Sequence, residues 1–160
     1  MAIQWLADAG LVYKVPLCKE IKLPLKMYED PSAFKLFTLD LGLLGAMVGT
    51  EAKQVLIKND IFSEYKGGFT EQFVLEEMKS NGEENIFYHK PDDGKRLEID
   101  FMIQRDGKLL PIEVKAEGNV RANSLSNLLK QMPELHAFRY SMKPYIEQEH
   151  ITCYPLYAIQ

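Results

Sequence analysis

The chain has 160 residues, 46% of them hydrophobic, enough for one domain with a true core plus a small appendage, and no low-complexity segment points to disorder. Its net charge of −4 argues against binding nucleic acid through overall positive charge and leaves only a local basic patch for that purpose. No apolar run approaches the ~20 residues of a transmembrane helix, MAIQWLADAG lacks the features of a secretory signal, and Cys18 and Cys153 form neither a disulfide framework nor a metal spacing. A cytoplasmic protein with two free thiols and no membrane contact is the expectation.

Residues 1–10 read as the tail of a helix that Gly10 ends. Leu11 to Leu17 reads as an edge strand because of Pro16, Leu23 to Tyr28 as a second short edge strand containing Pro24, and Phe34 to Leu39 as a third. In the last of these, Lys35 alternates onto the side of Phe37 and Leu39. Asp40 is placed to cap a short helix through Met47, which Gly49 stops. A helix running into a two-stranded wing is the second half of a winged helix, so residues 1–60 are expected to be a partial winged-helix-like segment and linker. They also suit a small α/β subdomain of their own. Residues 51–66 are polar and mixed, as in a helix or linker, and Gly67-Gly68 punctuates the chain.

Residues 61–160 are expected to form the main domain. Phe69 to Lys79 predicts a helix stopped by Asn81-Gly82. Ile86 to His89 is a short strand, Pro91 to Gly94 a loop, and Leu97 to Gln104 and Lys108 to Ala116 are strands flanking Asp106-Gly107. Ser124 opens a helix with Leu125, Leu128, Leu129 and Met132 on one face, and Pro133 helps end it. Ala137 to Ser141 and Ile151 to Ile159 are the last strands. The order α, β, β, β, α, β, β is that of a mixed α/β domain.

Asp-Gly between two alternating apolar runs is a strong hairpin signal. With a two-residue loop, Arg105 faces Lys108, Asp100 faces Glu113 and Glu98 faces Lys115. Alternation then puts Glu98, Asp100, Glu113 and Lys115 on one face, and Ile99, Phe101, Ile103, Ile112 and Val114 on the other. Two acids directly opposite, with Cβ atoms ~5 Å apart, repel each other, and a divalent cation would offset that repulsion. The same residues also fit a solvated strand face with a Glu98–Lys115 pair, and a bulged turn would shift the register. On the helix before the hairpin, Glu71 lies between Val74, Leu75 and Met78. Such a carboxylate needs a partner: a lysine or backbone group in one reading, the hairpin site in the other.

A helix Glu (Glu71), an acidic strand (Glu98-Ile99-Asp100-Phe101) and Glu113-Val114-Lys115 on the next strand resemble the PD-(D/E)xK nuclease superfamily, which includes restriction endonucleases, although no proline precedes Asp100. Nearly the whole chain is similar to the C-terminal region of predicted prokaryotic AAA-type ATPases that end in a domain of unknown function. WLADAGLVYKV, LPLKMYED, KLFTLDLGLLGAM, FTEQFVLEEM, LEIDFMI, LLPIEVKAEGN and YPLYAI carry that likeness. The resemblance implies a restriction-endonuclease-like mixed sheet flanked by helices, preceded by the partial winged-helix-like segment, and an ATPase module as partner. The chain has no GxxxxGK[ST] phosphate loop, so no ATP site is expected in these residues. It further implies Mg²⁺ or Mn²⁺ held by Asp100, Glu113 and the Val114 carbonyl, with Lys115 and Glu71 completing a catalytic set for nucleic-acid phosphodiester hydrolysis, DNA being the expected partner. Lys115, Asn119 and Arg121 are the expected phosphate contacts. A nucleic-acid-binding or protein-interaction module of the ATPase, without cleavage, is the alternative that fits the acidic net charge.

Overall fold

A computed structural model describes residues 2–49, 63–91, 97–116 and 123–159, with the side chains of 63–65 and 123 excepted. These residues form an eight-stranded mixed sheet with four α-helices. The chain opens with α1 (Ala2–Asp8), β1 (Val12–Cys18), β2 (Glu29–Thr38) and α2 (Leu41–Met47). It continues with α3 (Ser63–Ser80), β3 (Phe87–His89), β4 (Ile99–Arg105) and β5 (Lys108–Lys115), then α4 (Asn123–Gln131), β6 (Ala137–Ser141), β7 (Ile146–Glu147) and β8 (Ile151–Pro155). Strand order is β2-β1-β3-β4-β5-β6-β8-β7. β5, β6 and β8 run parallel, and α4 carries the chain between the first two, as a parallel connection requires. Among the described residues no helix is long and apolar enough to cross a membrane.

Several local signals act as read. Gly10 and Gly49 take left-handed φ values of 71° and 70° after α1 and α2, and Gly82 does so after α3 at 88°. Asp40 Oδ1 accepts the Leu43 N–H at 2.7 Å and caps α2. Four expectations give way to tertiary context. Gly67-Gly68 does not interrupt the helix, which runs unbroken from Ser63 to Ser80. Buried Phe69, Val74, Leu75 and Met78 contribute more than the two glycines cost. Leu23 to Tyr28 is no strand: Leu25–Tyr28 is a 3₁₀ turn that buries Leu25, with Met27 N–H donating to the Pro24 carbonyl. β1 is not an edge, since it lies between β2 and β3, and its Pro16 sits where the pairing with β2 shifts register, a place that asks no donor of it. The last strand stops at Pro155 and a 3₁₀ turn, Leu156–Ala158, follows.

β1 and β2 extend the same sheet as the C-terminal strands, through a parallel pairing of Leu17 and Cys18 with Tyr88 and His89. The expected boundary at residues 60/61 lies outside the described residues. α3 is tied to the end of β2 by Gln72, which is buried. It accepts from the Thr38 N–H at 3.0 Å and donates to the Thr38 carbonyl at 2.9 Å. Each face of the sheet has its own core. Val74, Leu75 and Met78 of α3 pack with Phe101, Ile103, Ile112 and Val114. Leu125, Leu128 and Leu129 of α4 pack with Ile99, Met102 and Leu109.

Candidate functional site

The site starts at the β4–β5 turn. Asp106 and Gly107 both take positive φ, 51° and 71°, the two-residue hairpin geometry that Asp-Gly favours. Arg105 therefore faces Lys108, and the ladder runs in that register to Phe101 opposite Ile112. The paired ladder ends there. One step further, the Val114 N–H donates to Asp100 Oδ2 at 2.7 Å.

On its other side β4 carries an extra residue. Phe87 pairs with Met102 and His89 with Ile99, so two steps along β3 match three along β4. That bulge breaks the alternation. Ile99 consequently joins the α4 core while Phe101 joins the α3 core, and the single apolar face expected to include both does not form.

The charges around Asp100 come from three elements, α3, β2 and β5. Asp100 is half-buried, and burial pushes its carboxyl up to about 7. The Glu71 carboxylate adds to that rise, and the Val114 N–H, Lys35 and Lys115 oppose it. Lys35, from β2, bridges Glu71 at 3.4 Å and Glu98 at 2.7 Å. Burial pulls the Lys35 ammonium down, but Glu71, Glu98 and Asp100 together outweigh it and hold its pKa above the usual lysine value. Glu98 thus pairs with Lys35 rather than with Lys115 across the hairpin.

Glu113 is buried, 4% exposed, and both its oxygens are engaged. Arg139 Nε of β6 donates to Oε2 at 2.8 Å, and Lys115 Nζ lies 3.2 Å from Oε1. The strand register explains the first contact, because Glu113 stands beside Arg139 in the parallel β5–β6 pair. Val114 holds its place in β5 opposite Tyr140.

The structure therefore brings Glu71, Asp100 and Lys115 together electrostatically and joins Glu113 to them through Lys115. Asn119 and Arg121 lie outside the described residues. Among the described residues, no group of three or more His, Cys, Asp or Glu side chains is arranged to hold a metal ion. Two carboxylates and several waters are a usual Mg²⁺ set, however, and a half-buried acid beside a second carboxylate is chemically suited to one.

Two members of this network, Lys35 and Arg139, are absent from the expected site. Lys35 had a signal: it shares a strand side with Phe37, where a cation needs a counter-charge. Arg139 had a weaker one, since Glu113 lies within the apolar run of β5 and calls for a cation.

No curated protein and no solved structure matches the chain. A family described as a domain of unknown function (DUF4143) matches residues 66–158. That span takes in α3 from Lys66 onward, the hairpin and the β5–β6–β8 strands, so every described residue of the expected catalytic set lies within it. With more than half its length matched, the chain belongs to the DUF4143 family.

Proposed function

We propose that the domain is a restriction-endonuclease-like, metal-dependent nuclease that hydrolyses nucleic-acid phosphodiester bonds. The observation that carries this reading is Asp100: a half-buried carboxyl that accepts the Val114 N–H at 2.7 Å, feels the charges of Glu71 and Lys115, and is raised to about 7. Perturbed acids of this kind cluster at functional sites. Asp100 and Glu113 would hold Mg²⁺ or Mn²⁺, with the Val114 carbonyl as a further ligand by analogy with the PD-(D/E)xK nucleases. The bound cation would supply Lewis-acid polarisation of the phosphate and acidify a water. Lys115 would stabilise charge developing on the phosphate, after releasing Glu113 Oε1. Glu71, held by Lys35, would keep Asp100 and the cation in register. Lys115, Asn119 and Arg121 would contact the strand, and an AAA-type ATPase module would be the working partner.

One observation favours a second reading, a nucleic-acid-binding or regulatory module without cleavage. Glu113 is already paired on both oxygens, and Arg139 has to share it with any cation. The test is nicking of plasmid and linear DNA with Mn²⁺ or Mg²⁺. Cleavage is expected in wild type and a loss of at least a hundredfold in both Asp100→Ala and Lys115→Ala. Equal inertness of all three, with metal-independent DNA binding retained, would establish the second reading.

A further inference from the structure

β2 is one edge of the sheet, with β1 as its strand neighbour. An edge strand turns alternate N–H and C=O groups outward, where they can template another strand unless something blocks them. The register of β2 shows which groups these are. The Leu39 N–H donates inward to the Leu11 carbonyl, and Gln72 takes both the N–H and the C=O of Thr38 on the outer side. By alternation Phe37 and Lys35 turn their backbone groups to β1, while Leu36 and Phe34 turn theirs outward. Pro16, which has no N–H to give, faces Phe34, as that alternation requires.

Side chains close this edge at both ends and leave it open between them. At one end Gln72 occupies the groups of Thr38 at 3.0 and 2.9 Å. At the other, the pairing with β1 skips Pro31, Ser32 and Ala33. Pro31 has no N–H, and the Ser32 N–H donates to Asp30 Oδ1 at 2.8 Å. The N–H and C=O groups of Phe34 and Leu36 have no partner among the described residues, and the Leu36 side chain is 45% exposed.

We infer that this edge pairs antiparallel with the same edge of a second copy of the chain, across a two-fold axis at Lys35. Among two-fold registers, this one matches open groups to open groups. Phe34 of each copy exchanges both hydrogen bonds with Leu36 of the other, and the closed Thr38 stands beside the closed Ser32. An axis at Phe34 would set open Leu36 against Ser32, and an axis at Leu36 would set open Phe34 against Thr38. A window symmetric about its own midpoint suits an isologous contact. On the axis Lys35 meets its own counterpart, and like charges there would repel. Each ammonium, however, lies 2.7 Å from Glu98 and 3.4 Å from Glu71, so compensated groups meet rather than bare charges. Four backbone hydrogen bonds and a Leu36–Phe34 contact on each side make a small interface and hence a weak dimer.

Sedimentation equilibrium of the full chain from about 1 µM to about 1 mM is expected to show the mass rising from monomer towards dimer. Amide hydrogen exchange at Phe34 and Leu36 should slow over the same range. Leu36→Pro deletes an outward N–H and none of the bonds to β1, and should weaken association at least tenfold. Leu36→Lys keeps that N–H but sets a charge against the other copy's Phe34, over which Lys14 already stands, and should weaken it too. Trp5→Ser, on the exposed face of α1, should leave association unchanged. A monomer at every concentration overturns the inference. So does a dimer that Trp5→Ser dissolves while Leu36→Lys leaves it intact, or one in which the Phe34 and Leu36 amides exchange as fast as in the monomer. The exchange measurement needs only wild type, so it decides the matter if a variant fails to fold.

Discussion

At the scale of single residues, Asp100 makes stability depend on pH in an unusual direction. Its folded carboxyl titrates at about 7 against about 3.9 in an unfolded chain, so between those values the folded state binds more protons. The contribution of Asp100 to stability is therefore greatest below about pH 4 and falls as pH rises through about 7. Three units correspond to at most about 4 kcal/mol. Asp100→Asn keeps an oxygen for the Val114 N–H and removes the titration. Thermal melts should show wild type losing stability between pH 5 and pH 8, a flatter profile for Asp100→Asn, and the variant more stable at pH 8. Parallel profiles would mean that Asp100 is ionised throughout. Glu113 is buried, and both its oxygens are paired. Arg139→Met strands it beside Lys115 alone, and removing one partner of a buried pair costs about 3–5 kcal/mol. Urea unfolding should show that loss, and Glu113→Gln combined with Arg139→Met should recover most of it.

Among the elements, α3 is the clearest case of context overruling a local signal. Gly67 and Gly68 sit in its second turn, exposed, and a Cβ at either would meet nothing within 4 Å. Gly67→Ala and Gly68→Ala should each raise stability by about 0.5–1 kcal/mol, read as a higher urea midpoint at unchanged slope. A fall would show that the helix is interrupted there after all. Two residues of opposite meaning explain what could be read in advance. Asp106-Gly107 speaks for itself, because a two-residue turn depends only on its own φ values, and it delivered the hairpin and its register. The bulge between Ile99 and Met102 depends on β3, ten residues earlier, and nothing inside LEIDFMI announces it. The face on which Ile99 packs was accordingly illegible. Lys35 and Arg139 were hidden for the same reason. Their partners lie 36 and 26 residues away, beyond any spacing rule, and the hints were a lysine on an apolar strand side for the first and a glutamate within an apolar run for the second.

For the whole molecule, if the proposed nuclease reading holds, the net charge of −4 and the pairing within the site would set how nucleic acid is held. Lys35 is committed to Glu71 and Glu98, Arg139 to Glu113, and Lys19 to Asp30. Lys115, paired with Glu113 Oε1 at 3.2 Å, would be the central cation once it releases that oxygen, with Arg121 as an expected contact outside the described residues. Each phosphate neutralised by such a cation contributes about −0.9 to the slope of log K against log salt on duplex DNA. A footprint of two or three phosphates predicts a slope near −2 to −3, far shallower than that of a basic DNA-binding domain. Fluorescence anisotropy on a short duplex between 20 and ~200 mM salt, with Ca²⁺ present to support binding without turnover, measures it. Lys115→Ala should make the slope less steep by about one unit, because one released counterion is lost. A slope steeper than about −5 would place the contact on a basic surface distinct from the hairpin. The acids at Asp100 and Glu113 would then be structural charges buried under a binding face rather than the centre of it.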